Sequence, residues 1–180
     1  TEYKRYRITE NGISPRLLPG KSKAIITTDS DEHDEAGYIT ESASVRNEMV
    51  AKRKRKMLHL CEECLEPEFI GDPQFNVLLI GFGSTWGSIK EAVAILNTHS
   101  QKRYGALVFG DVYPLPTKEL IRCSKQAEKI INIEQNSSGQ LADLIRQETL
   151  INCDESVLKY DGRQISGDNI VEAIMKGVLK

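Results

Sequence analysis

Residues 76–180 alternate short apolar runs with stretches whose apolar positions recur every three or four residues. The runs Asn76–Ile80, Ala106–Phe109, Lys129–Ile133 and Ser156–Tyr160 predict strands. Between them, single helical stripes collect Ile89, Val93 and Leu96, then Leu120, Cys123 and Ala127, then Leu141, Leu144 and Ile145. A last stripe holds Ile170, Ala173, Ile174 and Val178. Polar residues at the expected helix starts support these boundaries. Ser88 with Glu91, and Ser137 with Gln140, have capping-box spacing, and Thr117 and Ser166 are single caps. Strand–helix alternation repeated four times predicts a three-layer α/β domain, with a mostly parallel sheet and helices on both faces. The Asp161-Gly162 turn suggests that the strand at Ser156–Tyr160 runs antiparallel.

Residues 1–75 lack this regularity. Tyr3, Tyr6 and Ile8, set among Lys4, Arg5 and Arg7, predict a short strand, and Lys23–Thr28 a second. An acidic loop follows, from Asp31 to Glu35. From about Ala43 the pattern becomes helical, with Val45, Met49, Met57 and Leu60 on one face and Ser42 or Ser44 as the cap. These elements carry too few apolar residues for a core of their own. The segment is expected to be an irregular wrapping region with a linker helix, and Pro67, Gly71, Asp72 and Pro73 to punctuate the boundary. The expected division is therefore 1–75 and 76–180.

Composition narrows the classes. The 180 residues are 39% hydrophobic and 28% charged, with net charge −2, as in a soluble globular chain. The apolar runs of the regular region, such as Val77–Ile80, are far too short for a bilayer span. Residues 1–75 hold 12 basic and 14 acidic side chains, and residues 76–180 hold 12 of each, so neither part carries a nucleic-acid footprint. No charged and apolar leader opens the chain, and four cysteines without an export signal are expected to be reduced thiols in the cytoplasm.

The candidate chemistry sits at strand ends. In such sheets ligands bind outside the carboxyl ends of the strands. The loops Gly81–Gly87, Asp111–Pro116 and Glu134–Gly139 all fall there. In Gly81-Phe82-Gly83-Ser84-Thr85-Trp86-Gly87 the third glycine comes one place too late for a dinucleotide fingerprint. That favours a generic anion site on the backbone of Gly83, Ser84 and Thr85, with Asn136, Gly139 and Gln140 within reach. Packing turns without a ligand are the alternative. Cys61-Glu62-Glu63-Cys64 is half of a metal site, but Cys123 and Cys153 form no second pair, so free thiols and no metal are expected. The acidic loop lacks an EF-hand pattern and the Lys52–Lys56 run lacks aromatic support, so both are expected to be solvated. No catalytic triad or nucleophile elbow appears.

A family resemblance adds to this. The run Asp31-Glu32-His33-Asp34-Glu35-Ala36-Gly37-Tyr38-Ile39-Thr40-Glu41, then Gly81-Phe82-Gly83-Ser84-Thr85, Tyr113-Pro114-Leu115-Pro116 and Glu134-Gln135-Asn136-Ser137-Ser138-Gly139-Gln140-Leu141-Ala142, occur in order. Together they resemble the C-terminal part of the alpha subunit of 2-oxoacid:ferredoxin oxidoreductases, most closely the 2-oxoglutarate (2-oxoglutarate synthase) type. The resemblance implies a transketolase C-terminal-like fold for residues 76–180. It implies a complex that oxidatively decarboxylates a 2-oxoacid to an acyl-CoA, using thiamine diphosphate, magnesium, iron–sulfur clusters and coenzyme A. Implied partners are a beta subunit, small ferredoxin-like and gamma subunits, and ferredoxin as electron acceptor, with no nucleic acid and no membrane. The family's catalytic residues have no counterparts here, and Cys61 and Cys64 match no cluster pattern of that family. The expected role is a structural and assembly domain, inactive alone and binding no cofactor by itself. The alternative is a stand-alone nucleotide or anion-binding module.

Overall fold

A computed structural model describes residues 3–18 and 20–177. The chain divides into two compact units, Thr1–Glu63 and Cys64–Lys180.

The second unit is built on a five-stranded sheet: β1 (Glu68–Gly71), β2 (Val77–Phe82), β3 (Tyr104–Phe109), β4 (Lys129–Glu134) and β5 (Glu155–Leu158). Their order is β1-β3-β2-β4-β5. Four helices alternate with the strands: α2 (Trp86–His99), α3 (Lys118–Ser124), α4 (Gln140–Thr149) and α5 (Gly167–Met175). The four expected strands are present within two residues. Successive residues of each strand face opposite ways, so both faces must be covered. Val77, Leu79, Ala106, Ile131 and Ile133 pack with Ile89, Val93, Leu96 and Ile170, placing α2 and α5 on one face. Leu78, Ile80, Leu107, Phe109 and Ile130 pack with Leu120, Cys123, Leu141 and Ile145, placing α3 and α4 on the other. The three-layer, mostly parallel α/β architecture is the expected one.

Several expectations are corrected here. β5 is parallel to β4, pairing Ile131 with Glu155 and Glu134 with Leu158. The α4 crossover returns the chain to the same end of the sheet, and the Asp161-Gly162 turn leads toward α5 rather than closing a hairpin. The antiparallel strand is β1, paired Glu68 to Val108 and Gly71 to Gly105. It falls in the segment expected to be boundary punctuation. Two caps also differ. α2 starts at Trp86, two residues before Ser88, and α4 starts after a left-handed Gly139 with no side-chain cap from Ser137. Thr117 occupies the N-cap of α3 without a side-chain bond; instead Glu66 Oε2 accepts the Glu119 amide at 2.9 Å. Ser166 does cap α5, in a reciprocal box with Asn169. Ile170 of its stripe is fully buried, whereas Val178 lies outside the described residues.

The first unit contains one long helix, α1 (Ala43–Glu63), and no strand among its described residues. Ala, Lys, Arg, Met, Leu and Glu make this a strong helix former. The strands expected near Tyr3–Ile8 and Lys23–Thr28 do not form, and the first holds a turn at Arg5-Tyr6; among the described residues of this unit only an isolated bridge, His33 to Ile39, forms. Met49 and Lys52 are the buried residues of α1, while Leu60, expected on the apolar face, is exposed. Polar bonds do the holding. Lys52 Nζ donates to the Tyr6 carbonyl at 2.8 Å, and the Tyr6 amide donates to the Glu35 carbonyl at 2.9 Å. Gly12, with φ of +76°, lies against the backbone of Lys52 and Lys56. No helix among the described residues is long and apolar enough to cross a membrane.

Candidate functional site

The carboxyl ends of β2 and β4 deliver the two loops that the sequence singled out. After β2, Gly83–Thr85 forms a single 3-10 turn, with Gly83 at φ of +55°. Thr85 is buried and its Oγ1 donates to the Phe82 carbonyl at 2.9 Å. Gly83 borders a cleft of about 300 Å³ shared with Glu66, Glu68, Trp86 and Asp111. Each of these carboxylates already has a donor. Glu66 takes the Glu119 amide, Glu68 takes Trp86 Nε1 at 2.8 Å, and Asp111 takes the Leu65 amide at 2.9 Å. Such a rim repels an anion at short range.

After β4 the arrangement differs from the capping expected of Ser137. Glu134 is fully buried. Its carboxylate accepts the Leu141 amide at 2.9 and 3.1 Å and the Ala142 amide at 3.2 Å. It also accepts Asn132 Nδ2 at 2.7 Å and Asn136 Nδ2. Asn136 Oδ1 in turn accepts the amides of Ser138, Gly139 and, at 3.4 Å, Gln140. The positive end of α4 is thus filled by a side chain of the strand before it. A diphosphate such as that of thiamine diphosphate does not fit here, because the amides that would hold it are bonded to Glu134.

Gly139 borders a second cleft, with Arg146, Asn152 and Cys153. Gly83 and Gly139 thus border two different clefts. The sequence shows an acid ending an apolar strand, but not that the acid turns inward. The signal that could have revealed it is Asn132, a polar residue inside the strand two places before Glu134.

Ser88 and Glu91 also act away from their own helix start. Ser88 Oγ donates to the Ile165 carbonyl at 2.7 Å, and Glu91 Oε2 accepts the Gly167 amide at 3.2 Å. Gln135 Oε1 accepts the Ile165 amide at 2.7 Å. These bonds place the entry to α5 against α2 and the β4 loop.

In the first unit the acidic loop is not solvated as expected. Asp34 Oδ1 accepts the amides of Ala36, Gly37 and Tyr38, closing a tight turn. Glu35 accepts the Ile8 amide at 2.8 Å and Lys4 Nζ at 3.2 Å. Glu32 receives both guanidinium nitrogens of Arg53, at 3.1 and 2.9 Å, and Arg46 at 3.1 Å. The Lys52–Lys56 run is likewise only partly solvated, since Arg53 is held by Glu32 and Lys52 is buried. The Arg53 fork holds the Glu32 carboxyl down to about 2, against an ordinary value near 4.5. A depressed carboxylate contributes stability that is complete above its unfolded value and is lost as pH falls through the folded one. The first unit is therefore expected to loosen between about pH 5 and pH 2. Acid titration of the α1 amides checks this, and Glu32→Gln should weaken the dependence over that window, leaving the smaller part due to Glu35 and Asp29. An unchanged acid profile in the variant would refute the assignment.

All four cysteines are free. Cys61 lies in the last turn of α1 and Cys123 is buried on α3, while burial beside Asp154 and Glu134 pushes the Cys153 thiol up to about 11. High values disfavour the reactive thiolate.

Comparison with known proteins places this geometry. Residues 76–170 match the model of pyruvate:ferredoxin oxidoreductase core domain II. The chain is 36% identical over 178 residues to the alpha subunit of 2-oxoacid:ferredoxin oxidoreductase 2 from Aeropyrum pernix, covering 97% of this chain and 27% of that protein. It is 31% identical to the 2-oxoacid:ferredoxin oxidoreductase alpha subunit of Saccharolobus solfataricus, over 99% of this chain and 28% of that protein. The chain thus spans about a quarter of the length of these relatives. Among solved structures, 2-oxoglutarate:ferredoxin oxidoreductase from Magnetococcus marinus, with 2-oxoglutarate, coenzyme A and succinyl-CoA bound, superposes with a TM-score of 0.80. That match is at 28% identity and covers 98% of this chain and 31% of that one. With the expected motifs in place on a three-layer sheet, the chain belongs to the 2-oxoacid:ferredoxin oxidoreductase alpha-subunit family, and residues 76–170 are its core domain II.

Proposed function

We propose that this chain is the core-domain-II portion of an alpha subunit in a complex that oxidatively decarboxylates a 2-oxoacid to an acyl-CoA. The observation that carries the reading is the likeness over 98% of the chain to an enzyme of that activity. The 2-oxoacid is 2-oxoglutarate, the compound bound in that relative. Thiamine diphosphate, magnesium and iron–sulfur clusters belong to other parts of the complex, and coenzyme A is its co-substrate. The partners are a beta subunit and small ferredoxin-like and gamma subunits, ferredoxin takes the electrons, and the complex works in the cytoplasm. Two observations support a structural and assembly role for this portion. The strand-end carboxylates are bonded to backbone amides and an indole. Glu134 of β4 and Glu91 of α2 accept amides at the starts of α4 and α5 and fix those helices in place. Packing and positioning is accordingly the role we assign to Gly83, Ser84, Thr85, Asn136, Gly139 and Gln140.

The test is a viologen-reduction assay with thiamine diphosphate, magnesium, coenzyme A and each of several 2-oxoacids. The complete alpha subunit assembled with its beta subunit should reduce the dye, fastest with 2-oxoglutarate, and the 180-residue chain alone should not. Turnover by the chain alone would overturn the structural role. An assembled enzyme inert to every 2-oxoacid would overturn the activity.

A further inference from the structure

We propose that the first unit carries a binding site for a diphosphate-bearing anion. The site is a cleft of about 370 Å³ between the N-terminal segment and α1. Its size falls near the lower end of small-molecule pockets. Arg5, Arg16, Lys52, Arg53 and Lys56 line it, together with His33, and no carboxylate does so among the described residues. Of the five cations only Arg53 has a salt bridge, to Glu32; Arg5, Arg16, Lys52 and Lys56 have none among the described residues. Four cations without an ion pair around one cleft repel one another; the nearby acids are Glu32, engaged by Arg53, and Glu35, engaged by Lys4 and also favouring the Lys52 charge.

Two further features mark the cleft as unfinished. His33 has both ring nitrogens buried and without a hydrogen-bond partner. Its Nδ1 lies 3.8 Å from Glu32 Oε1, beyond hydrogen-bonding reach. Buried polar atoms left unpaired are costly and uncommon in native proteins. Lys52, only 7% exposed, holds its proton less firmly than usual. Burial is the main cause, and the charges of Lys56, Arg5 and Arg53 add to it. An anion in the cleft would offset the crowding of positive charge around Lys52.

The chemistry of the lining selects the class of anion. One carboxylate would answer one cation. A diphosphate brings about three charges and several oxygen acceptors, which suit guanidinium forks and ammonium groups arranged around it. Magnesium, which usually accompanies diphosphates in protein sites, needs carboxylate ligands; here lysine and arginine take over its neutralising role. The site lies entirely within the first unit and stands independently of the activity proposed above.

The experiment titrates the complete chain with inorganic diphosphate, ADP, citrate and a short polyglutamate peptide, following the His33 ring resonances. Inorganic diphosphate should saturate at or below about 1 mM, and Arg16→Ala and Lys56→Ala should each weaken it about tenfold. Lys54→Ala removes the same charge from α1 outside the cleft and should leave binding within about twofold. Circular dichroism of α1 confirms that each variant is folded. ADP binding tighter than diphosphate identifies a nucleotide as the source, and equal binding identifies the free anion; either supports the site. Citrate or the acidic peptide binding as tightly as diphosphate would overturn the proposal, as would no saturation by about 10 mM.

Discussion

Replacing Glu134 with alanine should destabilise the second unit by about 3–5 kcal/mol. The carboxylate is fully buried and has four partners: the Leu141 and Ala142 amides and the side-chain amides of Asn132 and Asn136. Its removal orphans donors that water cannot easily reach, and each orphan costs on the order of 1–3 kcal/mol. Glu134→Gln keeps the shape but turns one acceptor into a donor facing donors, and about 1–3 kcal/mol is expected. The only tryptophan, Trp86, lies in the same unit, so urea unfolding followed by its fluorescence reads this unit. A loss under about 1 kcal/mol for Glu134→Ala would mean that α4 is held by its apolar face alone.

Gly12→Ala should cost the first unit about 2–4 kcal/mol. At φ of +76° a side chain is strained by about 1–2 kcal/mol. The added carbon would also lie 2.7 Å from the Lys56 amide nitrogen and closer still to the Lys52 carbonyl oxygen, both backbone atoms of α1. Gly20→Ala is the matched control. Its φ is +77°, but nothing lies within 4 Å of the added carbon, so only the conformational part, about 1–2 kcal/mol, should appear. Hydrogen exchange at the Tyr6 amide, bonded to Glu35, measures both. Equal protection in the two variants would show that the loop does not depend on close approach to α1.

The architecture of the second unit was legible because burial on two faces forces continuous apolar strands. Val77–Ile80 and Ile130–Ile133 can hardly be anything else once helical stripes follow them. β1 was not legible. Glu68–Gly71 has four residues, with prolines at 67 and 73, and its apolar pair Phe69-Ile70 looks the same in a loop; only the unpaired edge of β3 makes it a strand. The availability of the expected site is harder to read from the sequence. Spacing identifies a glycine turn or a helix start, but whether its amides are available depends on which way Glu134 turns. The acidic loop and the Lys52–Lys56 run were likewise read one at a time as solvated. They are partners, and Glu32 with Arg53 lie 21 positions apart, beyond the reach of local patterns.

The sheet ends in two very short strands. β1 has four residues and so does β5, against six for each strand between them. Short margins offer a neighbouring polypeptide few backbone groups to pair with. Pro67 removes a donor immediately before β1. Main-chain zippering of the sheet with a second polypeptide is thereby discouraged. A neighbour of this domain would then be recognised through side chains presented by helices and loops, where charge and shape discriminate and where contacts can be released without tearing a ladder of amides.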